Sequence, residues 1–142
     1  MPERLREAGL RVTAARLAVL DAIPPGSHLD ADQVATKVRD RLGRVSTQAV
    51  YDVLRALTDA GLLRRVEIPG SPAARYERWL HDNHHHLVCR SCGTVSDVAC
   101  ATGDAPCLVP TDPAGYAVDE AEVIYWGLCP ACRTSEGTTL RP

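Results

Sequence analysis

The first 88 residues contain no cysteine, so whatever the six cysteines of this 142-residue chain do is confined to its second half. No apolar run approaches the roughly 18 residues that a membrane-spanning helix needs, and no membrane anchor is expected. The opening Met1-Pro2-Glu3-Arg4-Leu5-Arg6 is charged at once and lacks the apolar core of a signal peptide. A cytoplasmic protein with reduced thiols is therefore expected. A Gly-rich phosphate loop, a GxSxG elbow and an HExxH helix are all missing, which removes the common enzyme signatures. There is no internal repeat and no low-complexity block.

The net charge of −2 is small, yet it hides an asymmetry. Residues 1–80 carry 13 Lys+Arg against 10 Asp+Glu, and residues 81–142 carry 3 against 8. The basic excess is too slight to establish a nucleic-acid partner by itself. The length fits one domain or two small ones, and the switch in composition favours two.

The front half reads as helices. Thr13 caps a helix bearing Leu17, Leu20 and Ile23, which Pro24-Pro25-Gly26 ends. Asp30, three residues before Gln33, resembles a capping box ahead of Val34, Val38 and Leu42, and Gly43 closes that helix. Ser46 caps a third, with Val50, Val53, Leu54 and Leu57 on one face and Gly61 at its end. Leu63 to Ile68 and Ala74 to Trp79 then flank Pro69-Gly70-Ser71-Pro72, the pattern of a β-hairpin. Three helices and a hairpin give the order of a winged helix, whose third helix enters the DNA major groove.

In the back half, strands are expected at His86–Val88, Thr94–Val98, Tyr116–Val118 and Ala121–Trp126. Ala99 to Gly115 holds too many breakers for a long helix, so loop and one short helical turn are expected there. The whole is an α+β protein: a winged-helix DNA-binding domain over 1–80, a hinge over 81–85, a small α/β dimerisation and metal-binding domain over 86–133 with a four-cysteine zinc site, and a disordered tail over 134–142.

Cys89-x-x-Cys92 and Cys129-x-x-Cys132 are the strongest chemical signal. Each pair is a knuckle that sets two thiolates on one side of a tetrahedral zinc, and a closed four-sulfur site is structural, not catalytic. Alternate residues of an extended segment share a face, so His84 and His86 suit a second metal, with the carboxylates Glu77 and Asp97 nearby. Imidazole and carboxylate donors without thiolate suit Fe(II), Mn(II) or Zn(II). Cys100 and Cys107 could be a redox pair, extra metal ligands or loop thiols, the last being favoured. On the third helix, Gln48, Tyr51, Asp52 and Arg55 recur opposite the apolar stripe, leaving a face free to read bases and phosphates. Arg4, Arg11 and Arg16 are placed to grip flanking phosphates.

The segments GLRVTAAR, VSTQAVYDVLRALTDAGLL, RYERW, DNHHHLVCRSCG and IYWGLCPAC resemble the ferric uptake regulator (Fur) family across nearly the whole chain. Within it the sequence looks most like the FurA and CatR type, repressors of catalase genes that respond to peroxide and iron. The resemblance implies a regulatory metal at His28, Glu77, His84, His86 and Asp97, and structural zinc at Cys89, Cys92, Cys129 and Cys132. It also implies DNA contacts at Tyr51 and Arg16. The regulatory metal implied is Fe(II) or Mn(II), replaceable in vitro by Zn(II) or Ni(II). A homodimer would present two such helices to a pseudo-palindromic operator of double-stranded DNA, and the metal would switch it by fixing the angle between the halves. Peroxide at bound iron would oxidise His28 or His84.

Three departures stand out. Ala121 lies near where some relatives have a further metal-binding histidine, leaving His85 without that partner. The Pro-rich Ala99 to Gly115 segment replaces a long dimerisation helix. Glu77 stands where peroxide sensors often have Asp and iron sensors Glu. The rivals are an iron, manganese or zinc homeostasis repressor of the same fold, a thiol sensor acting through Cys100 and Cys107, and an enzyme using the histidine–carboxylate metal as a Lewis acid.

Overall fold

A computed structural model of the chain describes residues 1–103 and 106–135, which divide after Leu80 into two compact units. In the first unit the helices begin where the sequence supplies an acceptor for an orphan N–H. The Thr13 hydroxyl accepts from the Arg16 amide at 3.1 Å and opens α2 (Ala14–Ala22). Asp30 and Gln33 close a reciprocal capping box at α3 (Ala31–Leu42). Ser46 accepts from the Ala49 amide at 3.0 Å and starts α4 (Thr47–Asp59). Gly43 and Gly61, at φ +80° and +77°, carry the chain out of α3 and α4 in a conformation that a Cβ would strain.

Val50, Leu54 and Leu57 of α4 are at most 1% exposed and join one core with Val19 and Leu20 of α2, Ile23 just past its end, and Val34 and Val38 of α3. Burying each such side chain contributes about 1.5–3 kcal/mol before the entropy of ordering is subtracted. The hairpin forms as expected from β2 (Leu63–Val66) and β3 (Arg75–Arg78), with Leu63 opposite Arg78 and Val66 opposite Arg75.

Two elements of this unit were not anticipated. A further helix, α1 (Pro2–Glu7), precedes the rest; Pro2 suits a first helical turn, and the fully buried Leu5 anchors the helix to the core. The DNA-reading candidate is therefore the fourth helix, not the third. A two-residue strand, β1 (Leu29–Asp30), pairs antiparallel with β3 and makes a three-stranded sheet in the order β1-β3-β2.

Arg78 also escaped the sequence reading. Its guanidinium donates to the carbonyls of Ile23 at 2.7 Å and Leu20 at 2.5 Å, satisfying the last turn of α2, where positive charge is favoured. Burial is the main force pushing the Arg78 pKa below its ordinary value. Arg78→Met should lower unfolding stability by about 2–3 kcal/mol in urea denaturation; a loss under about 0.5 kcal/mol would show that this cap is dispensable.

The second unit is a three-stranded sheet in the order β5-β4-β6, from β4 (His84–Cys89), β5 (Val95–Ala99) and β6 (Ile124–Gly127), followed by α5 (Pro130–Ser135). β4 lies antiparallel to β5 and parallel to β6. The expected hinge at 81–85 is corrected, because His84 and His85 already pair with Ala99 and Val98 in the β4–β5 ladder. The expected strand at Tyr116–Val118 does not form: the Tyr116 amide donates to the Pro113 carbonyl at 2.9 Å, closing a turn, and Tyr116 is 78% exposed, with no face to bury. The strand expected at Ala121–Trp126 is shorter and shifted, to β6. Between Ala99 and Gly115 no helical turn occurs among the described residues. Thr134 and Ser135 belong to α5, not to a disordered tail, since the Thr134 hydroxyl ties back to the Ala131 carbonyl at 2.9 Å; residues 136–142 lie outside the described residues. Among the described residues no helix is long and apolar enough to cross a membrane.

Candidate functional site

β4 sends successive side chains to opposite faces of its sheet, and its six residues include four candidate metal donors, His84, His85, His86 and Cys89. Because Cys89 ends β4 beside Gly127, the end of β6, the parallel pairing brings the Cys129 turn alongside Cys89. The Arg90 amide donates to the Gly127 carbonyl at 2.8 Å and locks that approach. Pro130 opens α5, whose first turn carries Cys132.

The sulfurs of Cys89, Cys92, Cys129 and Cys132 all lie within 4.8 Å of one another. Cys92 and Cys129 are 3.8 Å apart, the edge of a tetrahedron whose corners sit about 2.3 Å from a zinc. The backbone N–H groups of Cys129 and Cys92 point at Cys89 Sγ, at 3.3 and 3.5 Å. Those two donors, Cys129 first, pull the Cys89 pKa down to about 6. The Thr94 hydroxyl, 3.0 Å from Cys92 Sγ, lowers the pKa of that thiol. Cys132 is shifted the other way, raised to about 12 chiefly by its hydrogen bond with the Cys129 sulfur. Four sulfurs gathered at this tetrahedral spacing fit a closed four-sulfur metal site.

His84 and His86 share one face of β4, their rings 5.2 Å apart and nearly perpendicular. The ladder sets Asp97 of β5 directly opposite His86. One Asp97 oxygen lies 3.5 Å from His84 Nε2 and 3.7 Å from His86 Nε2. Those separations are long for hydrogen bonds and close to the roughly 3.4 Å between ligands held tetrahedrally about 2.1 Å from a metal. The other nitrogen of His84, Nδ1, is 2.9 Å from Asp82 Oδ1. A carboxylate behind an imidazole fixes its tautomer and aims the remaining nitrogen. Asp82 is thus a site residue that sequence reading missed, although its place two residues before His84 was visible.

In the first unit, β1 explains His28. The antiparallel register that sets Leu29 against Tyr76 carries the preceding residue to Glu77, and His28 Nε2 meets Glu77 Oε2 at 2.8 Å, both side chains at most 2% exposed. An imidazole and a carboxylate of this unit are therefore prepared as a pair.

The expected reading face of α4 is present: Gln48, Tyr51, Asp52 and Arg55 are all exposed, and the Gln48 carboxamide donates to Asp52 at 2.9 Å. Tyr51 and Arg55 line a surface groove with Thr58, Arg65 and Tyr76, so Arg65 of β2 joins the candidate face; the sequence pattern treated it only as a strand residue. Arg11 is exposed and Arg4 half-buried. Arg16 is half-buried and donates to the Arg11 carbonyl at 2.8 Å, so part of its guanidinium holds the loop before α2. Cys100 and Cys107 are brought together beside His85.

Residues 7–104 match the model of the ferric uptake regulator family. The chain belongs to that family. The Fur relatives include the transcriptional regulator FurA of Mycobacterium tuberculosis, 55% identical over 99% of this chain and 95% of its own length. Another is ferric uptake regulation protein 1 of Mycolicibacterium fortuitum, 58% identical over 86% of this chain and 75% of its own. Among solved structures, the Vibrio cholerae ferric uptake regulator superposes with a TM-score of 0.65 at 27% identity, covering 90% of this chain and 98% of that one. The α+β organisation with a winged helix is the family's, and the chain is a metal-responsive transcriptional regulator rather than an enzyme.

Cys129→Ser removes the sulfur that contacts Cys92 while keeping the backbone amide that donates to Cys89. We expect the variant to lose the thiolate-bound metal to a chelator that leaves the parent protein intact, and its unfolding midpoint to fall by about 10 °C or more. Equal metal content and an unchanged midpoint would refute the four-sulfur site.

Proposed function

We propose that this Fur protein is a repressor that binds operator DNA when a regulatory metal is loaded and releases it in response to peroxide or iron depletion, with a catalase or other oxidative-stress gene as its target. The observation that carries the reading is the sorting of donors. Nitrogen and oxygen donors stand together at His84, His86 and Asp97 and at His28 and Glu77, while sulfur donors gather at Cys89, Cys92, Cys129 and Cys132. The first kind suits Fe(II) or Mn(II), the second zinc.

Zinc at the four cysteines ties β4 to the β6–α5 turn and stays put. The regulatory metal takes His28 and Glu77 from the winged-helix unit and His84, His86 and Asp97 from the sheet unit, so its binding free energy is coupled to the DNA-binding form. When bound, Fe(II) supplies reactivity toward peroxide. The chain's part is to orient its ligands, His28 against Glu77 and His84 by its contact with Asp82.

DNA is read by Gln48, Tyr51 and Arg55 of α4, with Arg4, Arg11, Arg16 and Arg65 neutralising phosphates. A second copy of the chain, needed for a pseudo-palindromic site, finds an apolar surface on the sheet. Leu87 and Tyr125, paired across β4 and β6, are 44% and 47% exposed, a pair of neighbouring apolar side chains suited to burial in a dimer. Such a repressor works in the cytoplasm.

Footprinting with each divalent metal, with and without peroxide, tests the reading. Fe(II) and Mn(II) should both support protection, and peroxide should abolish it only with Fe(II), with oxidation found by mass spectrometry at His28 or His84. His86→Ala should lose metal-dependent affinity about 100-fold while keeping the thiolate-bound zinc, and Tyr51→Ala should weaken DNA binding by about 1–3 kcal/mol without changing metal content. Protection unaffected by peroxide under Fe(II) would favour the homeostasis repressor instead.

A further inference from the structure

His85 faces away from His84 and His86 because β4 alternates, and neither the zinc knuckles nor the nitrogen–oxygen donor set uses it. It is nevertheless only 3% exposed. Its Nε2 lies 3.1 Å from Cys107 Sγ. Cys100 follows the end of β5, which the ladder holds against His84 and His85, and the donor atoms of His85, Cys100 and Cys107 fall within 4.8 Å of one another. This is a third convergence of ligand atoms, sharing no residue with the other two.

We propose that His85, Cys100 and Cys107 form an additional, exchangeable binding site for a thiophilic divalent cation of the zinc class. Two sulfurs and one imidazole are borderline-soft donors, which favour Zn(II) over Mn(II) or Fe(II). Three protein ligands leave one coordination position for water, so the ion is held less tightly than in the closed four-cysteine site. The Thr102 hydroxyl, 3.4 Å from Cys100 Sγ, holds that thiol in place. A disulfide between the two cysteines would leave the buried imidazole with no role, whereas a cation uses all three donors. The consequence is a route by which zinc acts on this regulator without occupying the regulatory donors.

Cobalt(II) titration of the reduced full-length protein, after zinc has filled the four-cysteine cluster, provides the test. The parent chain should take up one cobalt that shows sulfur-to-cobalt charge transfer, a band that the nitrogen–oxygen donor set cannot produce. Cys100→Ser, a near-isosteric change at a half-buried position just past β5, should remove most of that band with an unchanged far-UV spectrum, and His85→Gln should weaken cobalt uptake at least about tenfold. Zinc displacing the cobalt from the parent but not changing the spectrum of Cys107→Ser would complete the assignment. The same charge-transfer band in Cys100→Ser and Cys107→Ser, no thiolate-bound cobalt in the parent, or a Cys100–Cys107 disulfide that persists in reductant with zinc present would each overturn it. None of these readings depends on DNA binding, so failure here leaves the repressor reading standing and failure there leaves this site standing.

Discussion

Strict alternation of side chains along the central strand β4 is the constraint on which the metal chemistry rests. A run of three histidines cannot supply three ligands to one ion from an extended backbone; it supplies two to one face and one to the other. His84 and His86 therefore meet Asp97, His85 meets Cys107, and Cys89 at the strand's end enters the sulfur cluster. A one-residue slip of β4 would exchange the two faces and dismantle every donor set together. The central position between β5 and β6, and the Arg90 to Gly127 hydrogen bond, oppose that slip, and a metal bridging Cys89 to Cys129 would pin it.

The winged-helix unit obeys a comparable economy. Its caps and apolar stripes place α4 with one face in the core and the other in solvent, so the face proposed to read DNA is produced by the same periodicity that builds the core. The short β1 has two jobs: its pairing with β3 sets His28 against Glu77, and its last residue, Asp30, caps α3. Arg78 at the end of β3 satisfies carbonyls of α2. Sheet and helices of this unit are thus tied by polar contacts as well as by the apolar core.

Much of this was legible in the residues. Thr13, Asp30 and Ser46 marked helix starts because capping is local chemistry, and the spacing of Val50, Leu54 and Leu57 marked the buried face of α4. The cysteine pairs declared their cluster because a knuckle needs little more than two intervening residues. What was not legible depended on distant partners. The two residues Leu29 and Asp30 show no period, and only β3 makes them a strand. His85 and Cys107 are 22 residues apart. The expected strand at Tyr116–Val118 had the right residue types but no face to bury, which sequence pattern does not report. The resemblance to the Fur family placed His28 and Glu77 together; the β1–β3 register supplies the reason.

The central claim is that sulfur and nitrogen–oxygen donors hold metals with separate jobs, one keeping the fold and the other gating DNA. Graded chelation of the loaded protein, following operator affinity, zinc content and secondary structure in the same samples, tests it most directly. Operator affinity should collapse in the first stage, while the zinc of the four cysteines and the fold remain, and should return on adding Mn(II). Operator affinity that survives until that zinc is stripped, or that does not return with Mn(II) while the fold is intact, would contradict the account.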